Sequence, residues 1–174
     1  GHPVIAVAPL PIDLLQAEKR IQGHLIHSKE HGLINQPADF YFKQLNITED
    51  YNQLKDCQVI IECTLEEIEI KKLVYEKIEA VISNEAILAS NTSAIPISLL
   101  QKQTLHPHRF FGLHWAEPSH TTRFLEIICG ELSDPVKAEF LYALSHNWGK
   151  EPTLVRKDIR GFIANRLMYA MYRE

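Results

Sequence analysis

Val59-Ile60-Ile61-Glu62-Cys63 is an unbroken apolar run that ends on an acid and a thiol. A strand buried on both faces reads this way, because neither face alternates with polar residues. Behind it, Glu66 to Ile82 carries Ile70, Val74, Ile78, Val81 and Ile82 on one side and Glu69, Lys72, Glu76 and Glu79 on the other. That spacing predicts a surface helix, on which Glu67 and Lys71 form an i,i+4 pair. Ala86 to Ser90 is a second short strand, and Asn91-Thr92-Ser93 is a polar turn before a helix entered through Pro96. Strand, helix, strand, helix is the order that builds a parallel sheet.

The same alternation extends outward. On the N-terminal side, Pro3 to Ala8 reads as a buried strand closed by Pro9 and Pro11, so the chain enters in mid-fold. From Asp13 to about Leu33, the residues Leu14, Leu15, Ile21, Leu25, Ile26 and Leu33 share one side of a helix. Phe42 to Leu45 is a weak strand, and Thr48 is the expected N-cap of a short helix. On the C-terminal side, strands are expected at Arg109 to Trp115, Phe124 to Cys129 and Thr153 to Val155. Helices are expected from Pro135 to Trp148, closed by Gly149, and from Phe162 to Glu174, opened by Gly161. The predicted class is α/β, with a mostly parallel sheet.

Composition fits a folded chain: of 174 residues, 45% are hydrophobic and 23% charged. A net charge of -4 without runs of one sign gives no electrostatic footprint for nucleic acid or an anionic membrane. The apolar runs are far shorter than the roughly 20 residues that span a bilayer. Gly1-His2-Pro3 has no basic segment and no apolar stretch of a secretory signal. Cys57, Cys63 and Cys129 are odd in number and lack metal-ligand spacing, which favours reduced thiols and a cytoplasmic location.

Polar residues close three of the buried strands: Glu62 to Glu66, Ser90 to Ser93 and His114 to Glu117. In open α/β sheets ligands bind outside the carboxyl ends of the strands, so these ends are where a site is sought. His114 and Glu126 stand symmetrically about the break at Pro118 to Thr122. A chain that doubles back there sets an imidazole against a carboxylate, the arrangement a general base near neutral pH needs. A satisfied structural histidine would read the same way. Ser93 alone is ordinary turn chemistry, and Asn165, on a helical face with Phe162 and Tyr169, could be an interface residue or a surface one. His24, His27 and His31 share one face of the first helix and invite a metal reading. They lie opposite the apolar side and have no HExxH pattern, so a solvated face is the better account and no metal site is expected. Cys63 has no basic neighbour in sequence to lower its pKa and reads as packing at the edge of a cofactor.

Five blocks, Asp56 to Glu62, Ala89-Ser90-Asn91-Thr92-Ser93, Arg109 to Trp115, Phe124 to Ile128 and Gly161-Phe162-Ile163-Ala164-Asn165-Arg166, resemble in order and spacing the L-3-hydroxyacyl-CoA dehydrogenase family. The resemblance implies a doubly wound domain that binds NAD, oxidation of the 3-hydroxyl of an acyl-CoA thioester as in fatty-acid β-oxidation, and dimerisation through a helical C-terminal domain. It implies that His114 is the general base, Glu126 its orienting carboxylate, and Ser93 and Asn165 the polar residues on the substrate oxygen. It also implies that Cys63, Glu66, Lys71, Asn91 and Ser93 line the nicotinamide half of the cofactor site. Residues 1–158 would be an incomplete NAD-binding domain, and 159–174 the first helix of the dimerising domain.

Three departures accompany the match. No two glycines stand two apart, so the family's G-x-G-x-x-G turn is absent and the sequence resembles the fold from its second strand onward. The absent first strand would lie at the centre of a doubly wound sheet and leave strand edges open. Ala8 stands where the family usually has an acid on the adenosine ribose, which leaves NAD against NADP open. Glu117 stands where Asn is common after the catalytic His and its aromatic neighbour, and places a carboxylate among the substrate-binding residues. The leading expectation is an NAD-dependent (S)-3-hydroxyacyl-CoA dehydrogenase. The alternatives are a relative acting on a hydroxy acid without CoA, such as carnitine or a sugar acid, and a non-catalytic interaction module.

Overall fold

The computed structural model of the chain describes residues 2–8 and 10–174, without the side chains of Pro11 and Leu15. Pro9, expected to close the first strand, lies outside the described residues, as does the side chain of Leu15 on the expected apolar helix face. The chain divides into two compact units, Gly1–Lys55 with Glu117–Thr122, and Asp56–Ala116 with Arg123–Glu174.

In the first unit, β1 (Val4–Val7) and β2 (Leu45–Thr48) pair in parallel, Val4 opposite Leu45 and Val7 opposite Thr48. The connection contains α1 (Pro11–Glu30) and α2 (Ala38–Phe42). The weak strand expected at Phe42 to Leu45 is therefore corrected: Phe42 ends a helix that Pro37 introduces, and strand geometry starts only at Leu45. Thr48 is likewise not a helix N-cap. It is the last residue of β2, and its hydroxyl accepts from the Asp50 amide in the turn that follows. The apolar side of α1 is also narrower than its sequence suggests, since Ile26 is exposed, and Leu33 lies beyond the end of the helix and is exposed too.

The second unit holds five strands in the order β3 (Val59–Glu62), β4 (Ile87–Ser90), β5 (Phe110–Trp115), β6 (Phe124–Cys129) and β7 (Glu151–Val155). All neighbours are parallel except β5 and β6. Three helices connect them, α3 (Ile68–Glu79), α4 (Ile97–Gln101) and α5 (Pro135–Asn147), and α6 (Ala164–Met171) follows β7. Local chemistry sets the ends of α5. The Asp134 carboxylate accepts from the Val136 amide at its start, Pro135 supplies a fixed φ at the first position, and Gly149 at φ 74 takes the left-handed conformation just past its end.

The core is built from alternate residues of β4, β5 and β6, namely Ile87, Ala89, Phe111, Leu113, Leu125 and Ile127, with Ala138 and Leu141 of α5 against them. Each large side chain buried there contributes about 1.5–3 kcal/mol relative to exposure. Inside α3 the expected inward row is joined by two polar groups. Lys71 and Tyr75 are fully buried, and the expected Glu67–Lys71 surface pair is replaced by a turn of the Lys71 ammonium toward Glu62 and Glu66. β3 is an edge strand of its sheet. The expected mostly parallel α/β architecture is the one observed.

Candidate functional site

Antiparallel pairing of β5 with β6 puts His114 directly opposite Glu126 in the strand register. Nδ1 of His114 lies 2.7 Å from Oε2 of Glu126; the imidazole side chain is 11% exposed and the carboxylate side chain 0%. The other carboxylate oxygen, Oε1, accepts the backbone N–H groups of Ile163 at 2.7 Å and Ala164 at 3.1 Å, at the start of α6. Burial alone would raise the Glu126 pKa. The His114 hydrogen bond and the two amides more than offset it and hold the group below the ordinary carboxylate value. Glu126 is thus an anion at neutral pH, and as an acceptor it favours the imidazole tautomer that carries its proton on Nδ1.

Ser93 and Asn165, far apart in sequence, meet: the Asn165 side-chain amide donates to the Ser93 carbonyl at 3.0 Å. Ser93 is exposed on the turn after β4, and that turn is tied down by Glu66. One oxygen of Glu66 accepts from the Thr92 hydroxyl at 2.5 Å and from the amides of Ser93 and Ala94 at 2.9 and 3.0 Å. Desolvation opposes the charge on Glu66, but these bonds, with Lys71, keep its pKa lowered.

Lys71 sits 1% exposed between carboxylates, 2.9 Å from Glu62 and 3.5 Å from Glu66. Glu62 also accepts from the hydroxyls of Ser90 at 2.6 Å, Thr64 at 2.6 Å and Tyr75 at 3.1 Å. Burial works against the Glu62 charge, yet these donors hold the acid low. The same surroundings push the Tyr75 phenol up, first by desolvation and then by the Glu62 charge. Cys63, next to Glu62 in sequence, is an exposed residue whose thiol nevertheless feels this cluster. Desolvation, then the Glu62 charge, pushes it up to about 11 against the opposing charge of Lys71, so it is not a thiolate at neutral pH.

Asn91 follows β4, and its side-chain Oδ1 is buried without a hydrogen-bond partner. A buried acceptor left unsatisfied at the carboxyl end of a central strand fits a ligand donor, such as the carboxamide N–H of a nicotinamide. With the exposed Ser93 and the Glu66 carboxylate on neighbouring strand ends, the residues present fit the nicotinamide half of NAD. The glycine turn for the pyrophosphate is not in this sequence.

The remaining sequence candidates fall elsewhere. Glu117 is exposed and belongs to the first unit, where it opens the segment up to Thr122. In that unit His120 joins the three helix histidines: its ring stacks on His24 with centroids 4.8 Å apart, and its Nε2 is 3.2 Å from Nδ1 of His27. Among the described residues no group of three or more His, Cys, Asp or Glu is placed to hold a metal ion. No helix among them is long and apolar enough to cross a membrane. Sequence reading missed the Glu62 cluster, because its donors lie on β3, α3 and β4. It also missed Phe162, whose ring stands 5.5 Å from that of His114. The acid that ends β3 was the one available sign of the former, and the glycine before Phe162 of the latter.

The sequence model described as "3-hydroxyacyl-CoA dehydrogenase, NAD binding domain" matches residues 1–159. A 5-formyl-3-hydroxy-2-methylpyridine 4-carboxylate 5-dehydrogenase from Mesorhizobium japonicum is 40% identical over 116 residues, which are 67% of this chain and 38% of that protein. A crystal structure of an enzyme of that activity, described as an NAD+ dependent dismutase, superposes with a TM-score of 0.83 at 30% identity, over 98% of this chain and 55% of the other. The 3-hydroxybutyryl-CoA dehydrogenase of Escherichia coli K12 superposes with a TM-score of 0.92 at 26% identity, over 99% of this chain and 37% of the other. The chain thus spans about a third to a half of the length of these relatives. With the strand order, the His114–Glu126 pairing and a match over nearly the whole sequence, the chain belongs to the 3-hydroxyacyl-CoA dehydrogenase family and corresponds to its NAD-binding domain.

Proposed function

We propose that this chain supplies the nicotinamide subsite and the general base of a dehydrogenase that moves a hydride between NAD and the 3-hydroxyl carbon of an (S)-3-hydroxyacyl-CoA. The observation that carries the reading is the buried His114–Glu126 pair, held in register by β5 and β6. Nε2 of His114 takes the hydroxyl proton during oxidation and returns it during reduction. Glu126 keeps Nδ1 protonated and stabilises the imidazolium that forms. NAD, when bound, supplies the hydride acceptor or donor. Asn91, Glu66 and Ser93 are the residues to hold its nicotinamide end, and Lys71 acts on it through Glu66. Ser93 and Asn165 hydrogen-bond the substrate oxygen, whose charge grows as the proton leaves.

We assign residues 1–158 to the NAD-binding part and 159–174 to a separate, helical part. The end of the family match at residue 159 and the exposed Leu167, Tyr169 and Met171 on α6 support that division. A second reading replaces the acyl-CoA by a hydroxy acid without CoA. Two observations favour it: the relative from Mesorhizobium japonicum is named for a pyridine carboxylate, and Glu117 adds a carboxylate three residues after His114. The deciding experiment measures NADH formation by the protein as encoded by its gene, with (S)-3-hydroxybutyryl-CoA beside a hydroxymethylpyridine carboxylate. A higher kcat/KM on the thioester supports the first reading. Turnover of the pyridine acid alone replaces it with the second, and no turnover of either refutes both.

A further inference from the structure

We propose that Phe162 is a positioning residue for the His114–Glu126 pair, a step that rests on the dehydrogenase reading of that pair. Phe162 is the one non-glycine among the described residues with a positive φ, at 51°. For a bulky side chain this left-handed conformation is a strained outlier, retained only where the surroundings over-determine it. Gly161 before it, at φ 80, takes the left-handed region freely. A glycine at 162 would do the same, so something in the phenyl ring offsets the strain.

Two contacts show what the strained residue does. Its ring is buried, 2% exposed, and meets the His114 imidazole at an interplanar angle of 61° with centroids 5.5 Å apart. Its backbone turn sends the next two N–H groups, of Ile163 and Ala164, onto one oxygen of Glu126. Successive amides converging on an anion in this way form a concave binding nest. One residue therefore grips both members of the pair, the base by its ring and the carboxylate by the amides after it. With Oε1 fixed by two donors, Glu126 cannot rotate away from His114. With the ring against it, the imidazole cannot swing off the carboxylate. The same turn starts α6 and so places Asn165 on the Ser93 carbonyl. A phenylalanine that merely filled the core would do so at negative φ, without the strain and without aiming two amides.

The test compares Phe162→Ala and Phe162→Leu with wild type by steady-state kinetics and by exchange of the His114 Nδ1 proton in NMR of histidine-labelled protein. Phe162→Ala is expected to lower kcat roughly ten- to a hundredfold, the size of effect that sub-ångström misplacement of a reacting group gives. The NADH Kd should stay unchanged and exchange of the ring proton should quicken. Phe162→Leu keeps most of the volume and the fold, and is expected to recover kcat only in part; it carries the test by itself if the alanine variant does not fold. Wild-type kcat and wild-type exchange in the leucine variant would overturn the proposal and leave Phe162 a packing residue. Should wild type turn over no hydroxy substrate while exchange still quickens in the variants, the positioning is upheld and the dehydrogenase reading falls.

Discussion

Replacing Glu126 by Gln changes one oxygen to an amino group and removes a charge, and the structure dictates which way the new amide must face. Glu126 now accepts from three donors: His114 Nδ1 on one oxygen, and the amides of Ile163 and Ala164 on the other. If the glutamine NH2 faced the two backbone amides, three donors would confront one another. If it faces His114, only Nδ1–H is opposed, and the imidazole can answer by moving its proton to Nε2. The second orientation is therefore favoured, because it keeps the bonds to both backbone amides, and each buried donor left unmade costs about 1–3 kcal/mol. Its consequence under the proposed mechanism is chemical: with Nε2 protonated, the nitrogen assigned to take the hydroxyl proton can no longer accept it. The imidazolium also loses its counter-charge. For a comparable carboxylate-to-amide change behind a catalytic histidine the loss in kcat is about 10⁴, so roughly 10²- to 10⁴-fold is expected here, with the NADH Kd unchanged. A second consequence concerns stability. Glu126 has a lowered folded pKa, so its contribution is present above the unfolded carboxylate value and is lost as pH falls through the lower folded one. The Gln variant should therefore lack part of the acid-side fall in stability. Urea midpoints across acidic pH and kcat profiles check both arms, and a variant within roughly threefold of wild-type kcat, where 1.4 kcal/mol is tenfold, would refute the tautomer argument.

Three further outcomes follow from the same contacts. His114→Ala should abolish turnover by several orders of magnitude and leave NADH affinity unchanged, as measured by fluorescence; retained activity would move the base elsewhere. Asn165→Ala removes the bond to the Ser93 carbonyl, and should lower kcat about tenfold or more without a change in unfolding midpoint. Lys71→Met leaves the buried Glu62 without its counter-charge and should destabilise by about 3–5 kcal/mol at neutral pH. Because losing Lys71 raises the folded pKa of Glu62, the variant can protonate it, and the deficit should narrow as pH falls toward and through the ordinary carboxylate range; a deficit independent of pH would mean that packing rather than charge was lost.

How much of this was legible in the sequence depended on the range of the interaction. β3, β4, β5 and β6 were readable because their apolar runs are continuous or strictly bounded, and the face-to-face placement of His114 and Glu126 followed from symmetry about one break. The segment from Phe42 to Thr48 was not readable. Its few apolar residues suit a helix end as well as a strand, and only pairing with β1 decides that the strand begins at Leu45. Lys71 misled for a related reason. On a helix its spacing from Glu67 promises a surface pair, but the attraction of Glu62, nine residues back on a neighbouring strand, draws the ammonium inside. The Glu62 cluster takes its donors from residues 64, 71, 75 and 90, a set no local pattern contains.

The two carboxylates at the strand ends settle how the site is divided. Glu62 spends its bonds on Thr64, Lys71, Tyr75 and Ser90, all buried or partly buried, and so fixes the floor from which the Ser90 to Ser93 turn rises. Glu126 spends its bonds on one titrating side chain and on the start of α6. The second joins an imidazole to the backbone that starts α6, whereas the backbone donor on Glu62 comes from Thr64, two residues along the same chain segment. Protonating His114 strengthens its bond to Glu126, and Glu126 is in turn held by the amides that Phe162 aims. Under the proposed mechanism, proton transfer at Nε2 and the seating of α6 are therefore linked through a single carboxylate. A change that loosens α6 at Ile163 or Ala164 should reach the base without touching it, whereas one that loosens α3 should reach the cofactor side through Glu66 and leave the base alone.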